Sequence, residues 1–285
     1  MAKGNLILGT AKNSIGDVVM YRREGAQITR VRVRNVKNPK TDAQSFQRAI
    51  MAPIARFYSP LSVVLERSFE GLSKAKSHNK FNQVNANLAR KNKWALPKGT
   101  GFFPLPYQVS QGTLPALNVS LNMGPDVLQI DNVPVAEVPT TIGELSTAFN
   151  AAGYKDGDIV TIIIVDGSTT DIKANFVPKS FQFALDSTSE VTIANALPAI
   201  TFSQTGGKIS LKLAAGTMCA GTVIVARFDG SMWRRSTQSV VVYGNLLNNV
   251  TDNAQVAAAI ASYGMTAGDG NPLVYLDGDE LADGE

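Results

Sequence analysis

In the stretch Gln27-Ile28-Thr29-Arg30-Val31-Arg32-Val33-Arg34 an arginine stands at every second position from Arg30 onward. That is the spacing of one face of a β-strand, with Thr29, Val31 and Val33 on the other face and expected to turn toward a core. Three like charges about 7 Å apart along a strand repel unless water or an anionic partner lies opposite. The chemistry on offer is therefore anion recognition. Arg22 and Arg23 upstream and Lys37 and Lys40 downstream enlarge the set. Together they could meet carboxylates of another subunit or track a phosphate backbone. No helix-turn-helix, zinc finger or RNP motif supports base-specific readout.

The catalytic inventory is thin. His78 is the only histidine and lies in the polar run Lys76-Ser77-His78-Asn79-Lys80, which suits a helix end or cap. Two-histidine metal motifs are absent. Cys219, the only cysteine, sits in Thr217-Met218-Cys219-Ala220-Gly221 with no basic neighbour to lower its pKa, so a packed thiol is expected. Gly206-Gly207-Lys208-Ile209 lacks the spacing and the Ser/Thr of a phosphate loop and reads as a hairpin turn. Asp277-Gly278-Asp279-Glu280 lacks EF-hand spacing. A glycosidase carboxylate pair has no fixed spacing and stays open. The expectation is a protein that is not an enzyme and needs no metal or cofactor.

The net charge of +4 hides a strong polarity. Residues 1–100 hold 19 Lys+Arg against 5 Asp+Glu, a net +14, and residues 101–285 hold 8 against 18, a net −10. Such asymmetry points to nucleic acid or to copies that meet basic end to acidic end. One cysteine rules out an internal disulfide. The apolar run after Gly4 is only Leu6-Ile7-Leu8, too short for a secretory h-region. The longest apolar run, Ile159 to Val165, has a strand's length and cannot span a bilayer. A soluble protein made in a reducing cytoplasm, with no membrane partner, is expected.

The elements that must position the arginines begin with strands at Asn5–Leu8, Asp17–Tyr21 and Gln27–Arg34, with Glu24-Gly25 as a hairpin turn. Thr41 and Gln44 form a capping box for a helix whose buried stripe is Phe46, Ile50, Ile54 and Phe57, with Pro53 placed to kink it. Ser59-Pro60 opens a second helix that buries Leu61, Val64, Leu65, Phe69 and Leu72. A third, from Asn79 to Lys91, buries Phe81, Val84 and Leu88. Residues 1–94 thus read as a basic β-hairpin and helical-hairpin domain. Residues 95–115 are rich in proline and glycine and read as a linker arm. Its aromatic residues Phe102, Phe103 and Tyr107 are expected to dock on a neighbouring chain. Residues 116–250 carry short strands at regular spacing, which suits an immunoglobulin-like β-sandwich, with one inserted helix capped by Thr141 and Glu144. Residues 251–285 read as a helix followed by an acidic tail. The fold class is α+β.

The opening pattern Gly16-x-Val18-Val19-x-Tyr21-Arg22-x-x-Gly25, with Ile28-x-Arg30 and Asn38-Pro39-x-Thr41-x-Ala43-Gln44-x-x-Gln47-Arg48, resembles a domain family of unknown function. That family is common in Bacteroidota and in the crAss-like phages that infect them. Trp233-Arg234-Arg235-Ser236-Thr237-Gln238, after Arg227-Phe228-Asp229-Gly230, looks like its closing strands. The resemblance spans most of residues 4–243. It implies a virion structural protein of the portal–tail region, in a closed ring that is twelve-fold to match a portal. The implied partners are itself, neighbouring portal, ring or tail proteins, and DNA passing through the channel. The arginines then face acidic groups of another subunit or line that channel. The alternative is a nucleic-acid-, carbohydrate- or protein-binding module of a Bacteroidota cell. On the thin inventory, changing His78 to alanine and Cys219 to serine together should leave assembly intact. Loss of a measurable hydrolytic activity in that variant would contradict the reading.

Overall fold

The computed structural model describes residues 3–5, 10–15, 17–23, 26–32, 41–66, 68–92, 94, 105–122, 127–167, 176–237, 239–243, 258 and 262. The chain divides into two compact units, Met1–Pro39 and Lys40–Glu285. This differs from the boundaries at 94/95 and 115/116 expected from the sequence. The described elements of the first unit are strands and those of the second are helices and strands; the ladders between named strands are antiparallel, and among the described residues no helix is long and apolar enough to cross a membrane.

The first unit is a four-stranded meander of β1 (Lys3–Asn5), β2 (Thr10–Ile15), β3 (Val18–Arg23) and β4 (Ala26–Val31), paired in that order. The β3–β4 register sets Val19 opposite Arg30 and Tyr21 opposite Ile28 on one face. Val18 opposite Val31 and Met20 opposite Thr29 share the other. Only Met20 of these is buried; Thr29 is exposed and Val31 is 74% exposed. The expectation that Val31 faces a core is therefore wrong. β4 is an end strand of the four-stranded order, and among the described residues alternation along it does not bring Val31 under cover. Val33 lies outside the described residues.

The second unit opens with α1 (Asp42–Tyr58), where Thr41 Oγ1 accepts from the Gln44 N–H at 3.4 Å. Gln44 Oε1 is buried without a partner, so only half of the expected capping box forms. The helix runs through Pro53. The expected second helix is a single turn, α2 (Ser62–Leu65). Ser68 Oγ donates to the Leu65 carbonyl at 2.9 Å, and Phe69 instead pairs with Gln111 in a β-bridge. α3 (Lys74–Lys91) starts five residues earlier than expected and packs on α1.

The remaining elements are β5 (Val119–Asn122), β6 (Val127–Pro134), α4 (Ile142–Ala151), β7 (Ile159–Asp166), β8 (Val177–Ala184), α5 (Ile193–Ala196), β9 (Ile200–Thr205), β10 (Lys208–Leu213), β11 (Met218–Phe228), β12 (Trp233–Arg235) and β13 (Val242–Tyr243). One sheet has the order β5-β6-β10-β9, the other β12-β11-β7-β8 with β13 also on β11. β7 alternates between two cores. Val160, Ile162 and Ile164 join Leu128, Ile209 and Leu211 of the first sheet and Leu145 and Phe149 of α4. Ile163 and Val165 join Phe46, Ile50, Phe57 and Phe81 of the helices. β11 does the same, with Val223 and Val225 on one side and Ile224 on the other. α4 starts as the sequence predicts: Thr141 Oγ1 caps the Glu144 N–H, while the Glu144 carboxylate accepts from the Thr140 N–H at 2.7 Å.

Residues 105–114 are part of this body, and the docking-arm expectation fails for Tyr107. Leu105, Tyr107 and Val109 alternate inward and are buried. Tyr107 is 0% exposed, with its ring stacked 4.5 Å from that of Phe57. The backbone is stitched to residues 239–241 by Val241 N–H to the Tyr107 carbonyl and Val109 N–H to the Ser239 carbonyl. Asn85 clamps the Gln108 backbone through both its N–H and its carbonyl. Proline and glycine here keep the chain extended without freeing it. Phe102 and Phe103 lie outside the described residues. Replacing Tyr107 with alanine should cost about 3–5 kcal/mol and lower Tm by roughly 10 °C. A calorimetric Tm within about 2 °C of the parent would contradict the packing account.

Candidate functional site

The basic strand holds two described arginines that the fold leaves open. Arg30 and Arg32 are exposed, and neither takes part in an ion pair among the described residues. The Arg30 guanidinium lies 5.7 Å from the ring centroid of Tyr21, itself 38% exposed. At an exposed site such a contact contributes only about 0.5–1 kcal/mol. Arg22 and Arg23 are consecutive in β3, in register with Gln27 and Ala26 of β4. Arg34, Lys37 and Lys40 lie outside the described residues. Within residues 1–39 the sequence has eight basic and two acidic residues, a net +6.

The second unit treats its cations differently. Arg227 is bidentate to the buried Asp158, with both contacts at 2.7 Å. Lys179 pairs with Asp166 at 2.7 Å, Lys208 with Asp131 at 2.9 Å, and Lys74 with Glu66. Arg234 bridges Glu70 and Asp229, each at 2.8 Å. Glu70 also accepts from the backbone N–H groups of Thr113 and Arg235, so one carboxylate ties three chain segments together. Burial pushes its pKa up, but the hydrogen bonds from Arg234, Thr113 and Arg235 outweigh this and hold it below the usual range. Asp229 is held well below its usual range by the Met232 and Ser231 N–H groups, then by the Ser231 hydroxyl and Arg234.

Around this knot the structure reveals a rim that the sequence reading missed. Phe228 is 54% and Met232 41% exposed at the β11–β12 hairpin, with the Trp233 ring 5.3 Å from that of Phe228. Arg235 lies over Trp233 at 5.2 Å. A groove of about 370 Å³ runs from Trp233 and Arg235 to Gln182, Thr161, Glu66 and Val63. Trp-Arg-Arg after Asp-Gly was a visible hairpin signal, but which side of the strand stayed open was not.

His78 lies in the second turn of α3 rather than at its cap, with Nε2 3.1 Å from Asn82 Nδ2 and its ring against Tyr58. Cys219 is buried, with Sγ donating to the Val165 carbonyl at 3.4 Å. Gly206 and Gly207 form the β9–β10 turn with φ of +61° and +77°. Among the described residues there is no group of three or more side chains placed to hold a metal ion.

Residues 9–117 match a family of unknown function, DUF6266. The match covers β2 to the segment before β5, and so contains the basic strand, the helices and the buried strip, but not the β11–β12 rim. No curated protein and no solved structure matches the chain.

Because the Glu70 pKa is depressed by folding, its contribution is present above the unfolded value of about 4.3 and is lost as pH falls through the folded one. Glu70→Gln should therefore destabilise the protein at pH 7, with the gap to the parent closing below about pH 4. A gap that stays constant from pH 7 to 3 would contradict this.

Proposed function

We propose that the protein is a structural component of a closed cyclic assembly: a ring protein of the portal–tail region of a tailed bacteriophage, made in the host cytoplasm and carried in the virion. The observation that carries this reading is the pair of exposed arginines outside any ion pair among the described residues, on a compact unit of net +6. Residues 40–285 hold 19 basic and 21 acidic residues, a net −2. A ring built by rotation joins two unlike surfaces at every contact, and segregated charge supplies them. The placement in a virion rests on the likeness of the opening and closing motifs. The strand orders β5-β6-β10-β9 and β12-β11-β7-β8 support an immunoglobulin-like sandwich. They correspond to strands A-B-E-D and G-F-C-C′, with α4 inserted between B and C.

A second reading, a carbohydrate- or protein-binding module, is favoured by the open Phe228–Trp233 pair beside the groove. It needs no ring, and changing those two residues would abolish its binding without touching assembly.

The test of the first reading changes Arg30, Arg32 and Arg34 together, to alanine in one variant and to glutamate in another. If they face acidic side chains of a neighbour, the glutamate variant should fold as a monomer and fail to form rings, with alanine intermediate. If they face DNA in a channel, rings form and the defect appears in DNA retention. Normal rings from the glutamate variant, counted by native mass spectrometry, would eliminate the interface role.

A further inference from the structure

Arg32 N–H donates to the Asp17 carbonyl at 2.6 Å, which makes Asp17 and Arg32 a hydrogen-bonded pair. In an antiparallel ladder such pairs alternate with non-bonded ones. Val19/Arg30 and Tyr21/Ile28 are then bonded pairs, while Val18/Val31 and Met20/Thr29 are not. The N–H and C=O groups of Thr29 and Val31 consequently point away from β3, out of the open edge of the sheet. Both residues are exposed, and among the described residues no strand lies on that side of β4. Exposed edges are usually blunted by charged side chains, proline or a bulge, and of these β4 has only the charge of Arg30. β4 keeps unbroken register with β3 from Ala26 to Val31 and contains no proline.

We infer that this edge pairs with the meander of another copy of the chain, β4 of one subunit against β1 of the next. The inference rests on the ring reading above. The meander has four strands in alternating directions, so its first and last run opposite ways. Rotation about an axis along the strands brings β4 beside the next copy's β1 in antiparallel sense, and the alternation continues through every junction. The contact is heterologous and closes by rotation. Pairing of β4 with a second β4 would form a two-fold dimer and bring Arg30 and Arg32 against their own copies, which like-charge repulsion opposes. β1 carries one charged residue, Lys3.

Proline at an outward-facing edge position removes no hydrogen bond from the monomer but blocks a ladder to a neighbour. Val31→Pro should keep the monomer's circular dichroism and lose the ring species in native mass spectrometry. Ile28→Pro, where the N–H faces Tyr21, should disrupt the meander itself. In unmodified rings the Thr29 and Val31 amides should exchange hydrogen at least about tenfold more slowly than in dilute monomer; this readout decides the matter even if Val31→Pro fails to fold. Rings at the parent level from folded Val31→Pro, or unprotected Thr29 and Val31 amides in rings, would overturn edge pairing. If those results coincide with loss of rings in the arginine-to-glutamate variant, the ring reading stands and only the pairing falls. If the parent chain forms no ring, both fall.

Discussion

The two central strands, β7 and β11, have no free face. Val160, Ile162 and Ile164 need one apolar cover, and Ile163 and Val165 need another on the opposite side of the same strand. Buried on one side alone, the strand would leave two large aliphatic side chains in water, at roughly 1.5–3 kcal/mol each. The helices α1 and α3 supply the second cover, so they belong with the sheets rather than with the basic strands that precede them in the chain.

The polar connections follow from that arrangement. The strip at 105–114 runs between the helices and the sheet edge, and its backbone groups find partners on both sides. Ser236 sits where the strip, β11 and the segment before β13 meet: its hydroxyl accepts from the Val225 N–H and contacts the hydroxyls of Ser110 and Ser239, all buried. Glu70 does the same at the surface end. A network with this many satisfied partners holds one geometry. The second unit is thus a body tied together by buried and half-buried ion pairs, with a net charge of −2. The first unit is basic, and among the described residues no strand pairs with the outer edge of β4. Function in the proposed assembly divides in the same way, with the body giving shape and the meander giving contacts.

Much of this was legible in the residues. Thr141 with Glu144 marked α4, and Phe46, Ile50, Ile54 and Phe57 marked the buried stripe of α1. The alternating arginines marked a strand. The misreadings have physical causes. Pro104, Pro106 and Gly112 were signals for a loop, and the period of two in Leu105, Tyr107 and Val109 was the signal for a buried strip that outranked them. Phe69 and Leu72 continued a helical spacing beyond the point where Ser68 ends the helix. Val31 shows the limit of alternation: it fixes which residues share a face, not which face is covered. Glu70 could not be found at all, because its partners lie 43 and 164 positions away.

The central claim, that the helices and both sheets form one cooperative body because β7 and β11 are buried on two sides, is most directly tested by native-state hydrogen exchange. Amides in α1, α3, β7 and β11 would be followed in the intact protein as denaturant is raised. The account predicts that all four elements exchange through one common opening with the same free energy and denaturant dependence. Opening of α1 and α3 at markedly lower denaturant, with β7 and β11 still protected, would contradict it.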